Sequence, residues 1–335
     1  MPTYLALTDH SGHSPENSLY ALLAELARHP DCERLLVASR GNAANDAFFR
    51  ANEGNRVYAV PVRADFAFQP SGEQFSTGGE WVEIGDFDVI LLRVPRPVST
   101  EWMNHLVKAA AGAIVINHPD GIERTSSKAY LLNFPEICPP IRLCHSVEEV
   151  LAFAEQFSLV LKPLKDYGGR GILKIDGDKL VADGKEHDTR AYLQRQEKYL
   201  KEEGYLAMKF LKNVDQGDKR ILVVDGQIMA ASLRLPPEGS WICNVAQGGK
   251  SVGTEVTKEE IAMIELIGPA LKAEGILIFG ADTLVNDDGK RVLSEVNTLS
   301  IGGFPQAQAQ SGRPVVAQTI EKIVNYVATA DNHAG

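Results

Sequence analysis

The sequence predicts an α/β protein with a strong α+β component in its second half. In the first 120 residues, strand-like apolar runs alternate with helix-like segments, which is the rhythm of a mostly parallel sheet. After residue 121, strands come in pairs joined by short turns, as antiparallel hairpins do. A length of 335 residues allows two or three such units with a substantial core.

The first unit, residues 1–120, is predicted from an amphipathic helix and a set of short apolar strands. In ENSLYALLAELARH, leucines at i, i+3, i+4 and i+7 (Leu19, Leu22, Leu23 and Leu26) give a helix one apolar face. No G-x-G-x-x-G follows the first strand, so the pattern does not indicate a dinucleotide site. The strand candidates are PTYLALT, RLLVAS, VYAVPV, DVILLR and GAIVIN.

Start and stop signals define the helices of the second half. SVEEVLAFAEQF opens with a capping box of Ser146 and Glu149. TKEEIAMIELIGPALKAEG opens with Thr257 and Glu260 and is predicted to end at Gly275. DTRAYLQRQEKYLKEE reads as one charged helix, and PVVAQTIEKIVNYVATA as a closing helix with proline at its start.

Composition excludes several classes of protein. The net charge of −10, with no lysine- or arginine-rich run, argues against a nucleic-acid partner. No apolar stretch is long enough to span a bilayer, so no membrane partner is expected. The four cysteines are scattered without a C-x-x-C pair, which predicts neither a zinc site nor a disulfide scaffold. The N-terminus lacks a signal core, so a cytoplasmic location is expected.

The segment SLVLKPLKDYGGRGILKI places Lys162 at the end of a strand and just before a glycine-rich loop. Glycine N–H groups can approach phosphate oxygens closely, and a lysine adds a point charge for the same anion. The order of residues is not that of a Walker A motif. Taken alone, a simple hairpin remains the more common explanation.

Three oxygen-bearing side chains lie on the last pair of predicted strands, ILIFGADTLV and KRVLSEVNT, which enclose the turn NDDG. Glu295 and Asn297 share one face of their strand because strand side chains alternate. With NDDG as a four-residue loop, Asp282 pairs with Leu293 and faces the same side as Glu295. Three such ligands predict a magnesium site, and a solvated polar face is the alternative.

Two further stretches carry charge at positions suited to a ligand. In QGDKRILVVDGQIMAASLRL, a predicted hairpin turning at Asp225-Gly226, Asp218 could hold a ribose hydroxyl and Arg220 a phosphoryl group, although a charged turn would look the same. The long polar loop that follows, residues 236–251, is predicted to be a lid. Arg234 stands before it.

Over residues 5–325 the chain resembles the ATP-grasp superfamily, and specifically bacterial glutathione synthetase. The resemblance implies the ATP-grasp fold, in which two α+β subdomains grip ATP, preceded by an N-terminal parallel α/β domain. On this basis the units are residues 1–120, 121–204 and 205–330. The segments that carry it are LVLKPLKDYGGRGILKI, DQGDKRILVVDGQIMAASLRLP, NVAQGGKS, IGPALKAEGILIFGADTL and SEVNTLS.

The resemblance implies roles for individual residues. Arg220 and Arg234 would stabilise the transferring phosphoryl group and an acyl phosphate. Two magnesium ions, or manganese in substitution, would be bound by Asp282, Glu295 and Asn297. The ATP-binding residues would be Lys128, Lys162, Gly168, Gly169, Lys209, Phe210, Leu211 and Asp218, and the substrate-binding residues Arg93, Ser14, Asn17 and Asn244.

The implied activity is an ADP-forming ligation of γ-glutamylcysteine and glycine by a homo-oligomer. The chain departs from the family where Val94 to Arg96 replace an acidic-proline motif, and where TLSIGGFPQ replaces V-T-S-P-T after Asn297. By the same resemblance, that last stretch lies where the glycine end of the product would be recognised. An ATP-grasp ligase with another amino acid or peptide pair, and a catalytically silent nucleotide-binding protein, are the alternatives.

Overall fold

The computed structural model describes residues 1–165, 170–237 and 250–334, and it arranges them around three sheets. The first sheet has the order β4-β3-β2-β1-β5-β6. Its strands are β1 (Thr3–Thr8), β2 (Arg34–Ser39), β3 (Arg56–Pro61), β4 (Glu80–Glu83), β5 (Val89–Leu92) and β6 (Ile114–Ile116). The helices of this unit are α1 (Ser18–Leu26), α2 (Asp46–Phe49), α3 (Thr100–Ala109) and α4 (Pro119–Thr125).

The first sheet is parallel only at its centre. Strands β2, β1, β5 and β6 run parallel, as the sequence predicts, whereas β3 and β4 are antiparallel to their neighbours. The run VYAVPV therefore returns along β2 instead of extending the parallel set, and EWVE adds an edge strand that the sequence did not signal. The carboxyl ends of β1 and β5 lie side by side: the hydroxyl of Thr8 donates at 3.3 Å to the carbonyl of Arg93, the residue after β5.

The second sheet has the order β11-β10-β9-β8-β12-β7. Strand β12 pairs with both β7 and β8, so this sheet includes residues through Lys209, past the boundary predicted after residue 204. The charged helix is also interrupted, at Gln196. The elements are β7 (Ile141–Cys144), α5 (Val147–Ala154), β8 (Leu159–Pro163), β9 (Leu173–Asp176), β10 (Lys179–Ala182), β11 (Lys185–Asp188), α6 (Thr189–Arg195), α7 (Glu197–Glu202) and β12 (Tyr205–Lys209).

The third sheet is antiparallel, with the order β15-β14-β13-β16-β17. Its first hairpin turns at Asp225-Gly226, where both residues have positive φ, as the sequence predicts. The predicted capping box of Thr257 and Glu260 begins α8. The elements are β13 (Asp218–Val224), β14 (Gln227–Leu235), β15 (Lys250–Gly253), α8 (Lys258–Ala273), β16 (Ile278–Val285), β17 (Arg291–Asn297), α9 (Phe304–Ser311) and α10 (Val315–Ala334).

Shared apolar cores hold the first and third units together. Leu19 and Leu23 of α1 belong to the same buried cluster as Ile320 and Val324 of α10, so the closing helix packs on the N-terminal unit. The second sheet has a separate core under α5 and α6. None of the described helices combines the length and apolarity needed to cross a membrane.

Candidate active site

A cavity of about 460 Å³ lies where the second and third sheets meet, and the loop after β5 reaches its rim. Among the described residues that line it, seven are lysine or arginine and three are aspartate or glutamate. The cavity is thus cationic in a chain whose net charge is −10. The charged lining residues are Arg96, Lys128, Lys162, Lys165, Lys209, Arg220 and Arg234, with Asp218, Asp282 and Glu295.

Strand register places four of these charges on one face of the third sheet. Arg220 of β13 stands opposite Asp282 of β16, and Asp218 stands opposite Arg234 of β14. Residues 218 and 220 share a face because side chains alternate along a strand. Arg220 donates to both carboxylate oxygens of Asp282, through Nε and, at 2.6 Å, Nη2. Arg234 donates to Asp218 at 2.7 and 2.5 Å, and its Nη2 lies 2.9 Å from Asp282.

The network determines the ionisation of its members. Burial opposes the charge on Asp282, but the two guanidinium groups outweigh it and hold its pKa at about 2. Burial and the charge of Asp282 raise the pKa of Asp218 to about 6, against the opposing pull of Arg234. Asp282 is therefore ionised at neutral pH, whereas burial and its charged neighbour oppose the ionisation of Asp218. Although burial works against it, Asp282 and Asp218 raise the pKa of Arg234.

The three expected metal ligands come together at the end of β16 and β17. The register differs from the predicted one by two residues: the turn is one residue longer than NDDG, with Val285 opposite Arg291, and a bulge next to Asp282 adds the second, so Asp282 lies opposite Glu295 and Thr283 opposite Leu293. Since residues directly opposite share a face, Asp282 and Glu295 still point to the same side. Asn297 donates from Nδ2 to Asp282 at 3.3 Å.

The chemistry of this set fits magnesium. Two carboxylates and one amide oxygen are hard oxygen donors, which magnesium prefers with water and phosphate completing the shell. Within the described ranges, no group of three His, Cys, Asp or Glu side chains gathers in a way that could hold a metal, so the amide is needed for a third ligand. In this structure the two arginines supply the positive charge that Asp282 requires.

Two lysines extend the cationic wall from the second unit. Lys162 is 9% exposed and donates to the carbonyl of Ser294 at 3.1 Å. Burial lowers the pKa of Lys162, with nearby carboxylates, that of Glu295 first, acting in the opposite direction. Lys128 lies 3.5 Å from Glu295, and its N–H donates to the carbonyl of Leu164, directly after β8, at 2.9 Å. Both lysines thus contact β17, the strand that carries Glu295 and Asn297.

The predicted adenine hinge follows β12 and lines the same cavity. The N–H groups of Lys209 and Phe210 donate to the carbonyls of Pro140 and Ser158 at 2.9 and 2.7 Å. Leu211, the next residue, is 4% exposed. The ammonium of Lys209 pairs with Asp287 at 2.8 Å, which joins the hinge to the turn between β16 and β17.

The structure places three of the predicted substrate residues, Arg93, Ser14 and Asn17, outside the cavity lining. Arg93 donates from Nη2 to the carbonyl of Ile301 at 2.5 Å, and its Nε is buried without a hydrogen-bond partner. Burial lowers the pKa of Arg93 to about 10. Asn17 caps α1 by accepting from the N–H of Leu19 at 2.9 Å. Ser14 is exposed. Neither Ser14 nor Asn17 is among the residues that line the cavity.

Some predicted residues lie outside the described ranges. Gly168 and Gly169 of the glycine loop belong to them, as does Asn244 and most of the predicted lid, residues 236–251.

One buried polar residue next to the expected metal ligands was not identified from the sequence. Asn117, directly after β6, makes four hydrogen bonds to the third unit. The sequence does offer a signal: an asparagine that interrupts an apolar run and precedes His118-Pro119, where α4 begins.

Comparison with known proteins agrees with this geometry. Residues 127–312 match the family described as prokaryotic glutathione synthetase, ATP-grasp domain. The glutathione synthetase of Parasynechococcus marenigrum is 33% identical over 75% of this chain and 82% of its own. The glutathione synthetase of Rhodopseudomonas palustris is 30% identical over 81% of this chain and 83% of its own.

Solved structures share the fold across nearly the whole chain. D-cycloserine synthetase superposes with a TM-score of 0.66 at 12% identity, covering 97% of this chain and 99% of that one. A RimK domain ATP-grasp protein from Sphaerobacter thermophilus gives a TM-score of 0.55 at 15% identity, covering 96% and 99%. Family match, relatives and cavity agree: the chain belongs to the prokaryotic glutathione synthetase family, whose members are ADP-forming carbon–nitrogen ligases with the ATP-grasp fold.

Proposed function

We propose that the protein uses ATP and magnesium to join a carboxylate of γ-glutamylcysteine to the amine of glycine. The reaction passes through an acyl phosphate and releases ADP and phosphate. The observation that supports this most is the cationic cavity, which is lined by Asp282, Glu295 and Asn297 together with Lys128 and Lys162. Such a cavity suits a triphosphate that arrives with a divalent cation. A cytoplasmic location and a homo-oligomeric assembly are part of the same proposal.

ATP would lie between the second and third sheets. Lys128 and Lys162 would contact its phosphates, helped by Gly168 and Gly169. The adenine would lie against residues 209–211. Hydrogen bonds already occupy the N–H groups of Lys209 and Phe210, so a backbone N–H donor to adenine would come from Leu211. Asp218 would accept a ribose hydroxyl only after loosening its pair with Arg234.

The metal ligands would be Asp282, Glu295 and Asn297, holding two magnesium ions or manganese in their place. When bound, these ions neutralise triphosphate charge. Asp282 now spends both oxygens on Arg220 and Arg234. Ligand binding would therefore free part of each guanidinium, which can then donate to phosphoryl oxygens.

Arg220 and Arg234 would act on the transferring group. Guanidinium groups bind phosphoryl and carboxylate oxygens through two parallel donors, and preorganised donors stabilise charge that develops in the transition state. The ion pairs with Asp282 and Asp218 hold both side chains in place before substrate arrives. Asn244 would lie in a lid that keeps water from the acyl phosphate.

The substrates would lie at the end of the cavity formed by the loop after β5 and the segment after β17. Pro95 and Arg96 line it from one side and Ser300, Ile301 and Gly302 from the other. Arg96 takes the place proposed from sequence for Arg93, because its side chain borders the cavity whereas Arg93 holds the Ile301 carbonyl.

A different amine is the second candidate for the acceptor. The segment TLSIGGFPQ departs from the family pattern, and Ser300 to Gly302 of that segment form the cavity wall itself. The wall that would recognise glycine is thus the part of the site that differs.

Both candidates are tested by ADP release from the purified protein with ATP, magnesium and γ-glutamylcysteine. Each substrate is omitted in turn, and glycine is exchanged for each other amino acid. Release that requires γ-glutamylcysteine and glycine supports glutathione synthesis. Release that requires γ-glutamylcysteine and another amine supports the second candidate. No dependence on any carboxylate would contradict the proposal.

A further inference from the structure

The side-chain amide of Asn117 is buried between the first and third units, where all its donors and acceptors are hydrogen-bonded. It is 5% exposed. Its Nδ2 donates to the carbonyls of Ile278 at 2.6 Å and Thr298 at 2.7 Å, and its Oδ1 accepts from the N–H groups of Leu277 and Ile278 at 2.8 Å each. An amide offers two donors and two lone pairs, so its whole hydrogen-bonding capacity is spent here.

These partners lie at the end of the hairpin that carries the metal ligands. The β16–β17 ladder ends with Gly280 opposite Asn297. Beyond that pair, the Asn117 amide bridges Ile278 on one strand to Thr298 on the other. Thr298 directly follows Asn297. The amide therefore fixes the spacing of the two strands next to one of the three metal-ligand candidates.

Residues of α4, which follows Asn117, also contact Thr298 and the third unit. The hydroxyl of Thr125 lies 3.0 Å from the hydroxyl of Thr298 and 2.7 Å from the carbonyl of Gly121. Gly121 approaches the third unit so closely that a Cβ there would lie 1.8 Å from the carbonyl oxygen of Glu274. The contact that holds Thr298 is thus built from both β6 and α4.

We propose that Asn117 is a positioning residue for the metal site, acting through Thr298 on Asn297. The inference rests on the proposed function, in that Asn297 binds the metal. Metal ligands need their supporting hydrogen bonds to hold orientation, and losing such a partner typically weakens metal binding. Aspartate at position 117 would keep the acceptor for Leu277 and Ile278. It would lose both donors and set a charge against the carbonyls of Ile278 and Thr298.

Asn45 provides a matched control inside the first unit. It is 1% exposed, donates to the carbonyls of Ser39 and Tyr58 at 3.0 and 3.1 Å, and accepts from the N–H of Tyr58 at 2.6 Å. Asn45→Asp therefore damages a buried amide of the same kind at a place that does not contact the hairpin of metal ligands.

The experiment measures Mn²⁺ binding to the full-length protein in the presence of ADP, by the electron paramagnetic resonance signal of free Mn²⁺, beside thermal unfolding of each variant. Asn117→Asp is expected to weaken Mn²⁺ binding about 10- to 100-fold. Asn45→Asp is expected to lower thermal stability comparably and leave Mn²⁺ affinity within about twofold of wild type.

Equal Mn²⁺ affinity in wild type and Asn117→Asp would overturn the inference, as would equal weakening in both variants. Should Asn117→Asp not fold, Thr125→Val removes only the hydroxyl that contacts Thr298 and the carbonyl of Gly121, and about threefold weaker binding is expected from the lost contact to Thr298. Unchanged affinity there would then overturn it. If wild type itself binds no Mn²⁺ with ADP, the proposed function fails instead.

Discussion

Lys219 and Arg220 are neighbours on β13 whose side chains point to opposite faces of the sheet. Removing each side chain should therefore impair a different property of the protein. Arg220 faces the cavity. Lys219 faces α8, where its Nζ lies 2.7 Å from Glu260 and 2.8 Å from the carbonyl of Glu255. The side chains of Lys219 and Glu260 are 4% and 0% exposed, respectively. The prediction is that Lys219→Met costs stability and Arg220→Met costs turnover.

The magnitude for Lys219→Met follows from burial. Removing one partner of a buried ion pair costs about 3–5 kcal/mol because the other charge stays unpaired. Glu260 keeps hydrogen bonds from the N–H of Thr257 and the hydroxyl of Thr283, at 2.8 and 2.7 Å, so the lower end applies. At roughly 2–4 °C per kcal/mol, about 3 kcal/mol lowers Tm by about 6–12 °C.

Arg220→Met leaves Asp282 paired with Arg234, so its Tm should fall less. Its turnover should fall about 10²–10³-fold, the usual cost of one preorganised donor to developing charge. Calorimetry and steady-state ADP release measure both effects. Lys179→Met is the surface control: Lys179 is 72% exposed and 3.5 Å from Glu186, and removing such a pair costs about 0–1 kcal/mol. Lost turnover with unchanged Tm in Lys219→Met would refute the assignment of faces.

Three further variants test the site. Glu295→Gln should abolish ADP release while Tm stays near wild type, because it removes a metal ligand that is 28% exposed. Arg234→Ala should lower kcat much more than it weakens ATP binding, since its donors act on the transferring group. Asp287→Asn should weaken ATP binding about two- to fivefold, the range of a partly exposed ion pair, because Lys209 of the hinge loses its partner.

Each of these has a contrary outcome. Full ADP release by Glu295→Gln would remove Glu295 from the metal site. Equal losses of turnover and ATP affinity in Arg234→Ala would remove it from the transition state. Asp288→Asn, at the next position of the same turn, is the control for Asp287→Asn, and equal effects of the two would show that general turn charge, not the Lys209 pair, supports the hinge.

Local signals in the sequence predicted the elements of the third unit well. The Thr257–Glu260 capping box and the Asp225-Gly226 turn are short-range features, and both are present. They also predicted that Asp282 and Glu295 face the same side, although the pairing was wrong. The pairing is off by two residues: the loop is one residue longer than counted, and a bulge next to Asp282 adds one more, so the two shifts together keep the face.

Contacts between distant segments were not predictable in the same way. The sequence assigned Asp218 to a ribose and Arg93 to a substrate; in the structure Asp218 pairs with Arg234 of the same hairpin, and Arg93 donates to the carbonyl of Ile301 in a distant segment. Glu260 was recognised as a cap and not as the partner of Lys219. Such pairs depend on strand order and register, which residue patterns specify only in part.

The most direct test of the account is the route of one oxygen atom. γ-Glutamylcysteine labelled with ¹⁸O in the reacting carboxylate is turned over with ATP, magnesium and the accepted amine, and the phosphate released is analysed by mass spectrometry. The account predicts one ¹⁸O in each phosphate, because the carboxylate oxygen that attacks the γ-phosphoryl group leaves with it. Unlabelled phosphate alongside amide product would contradict an acyl-phosphate intermediate.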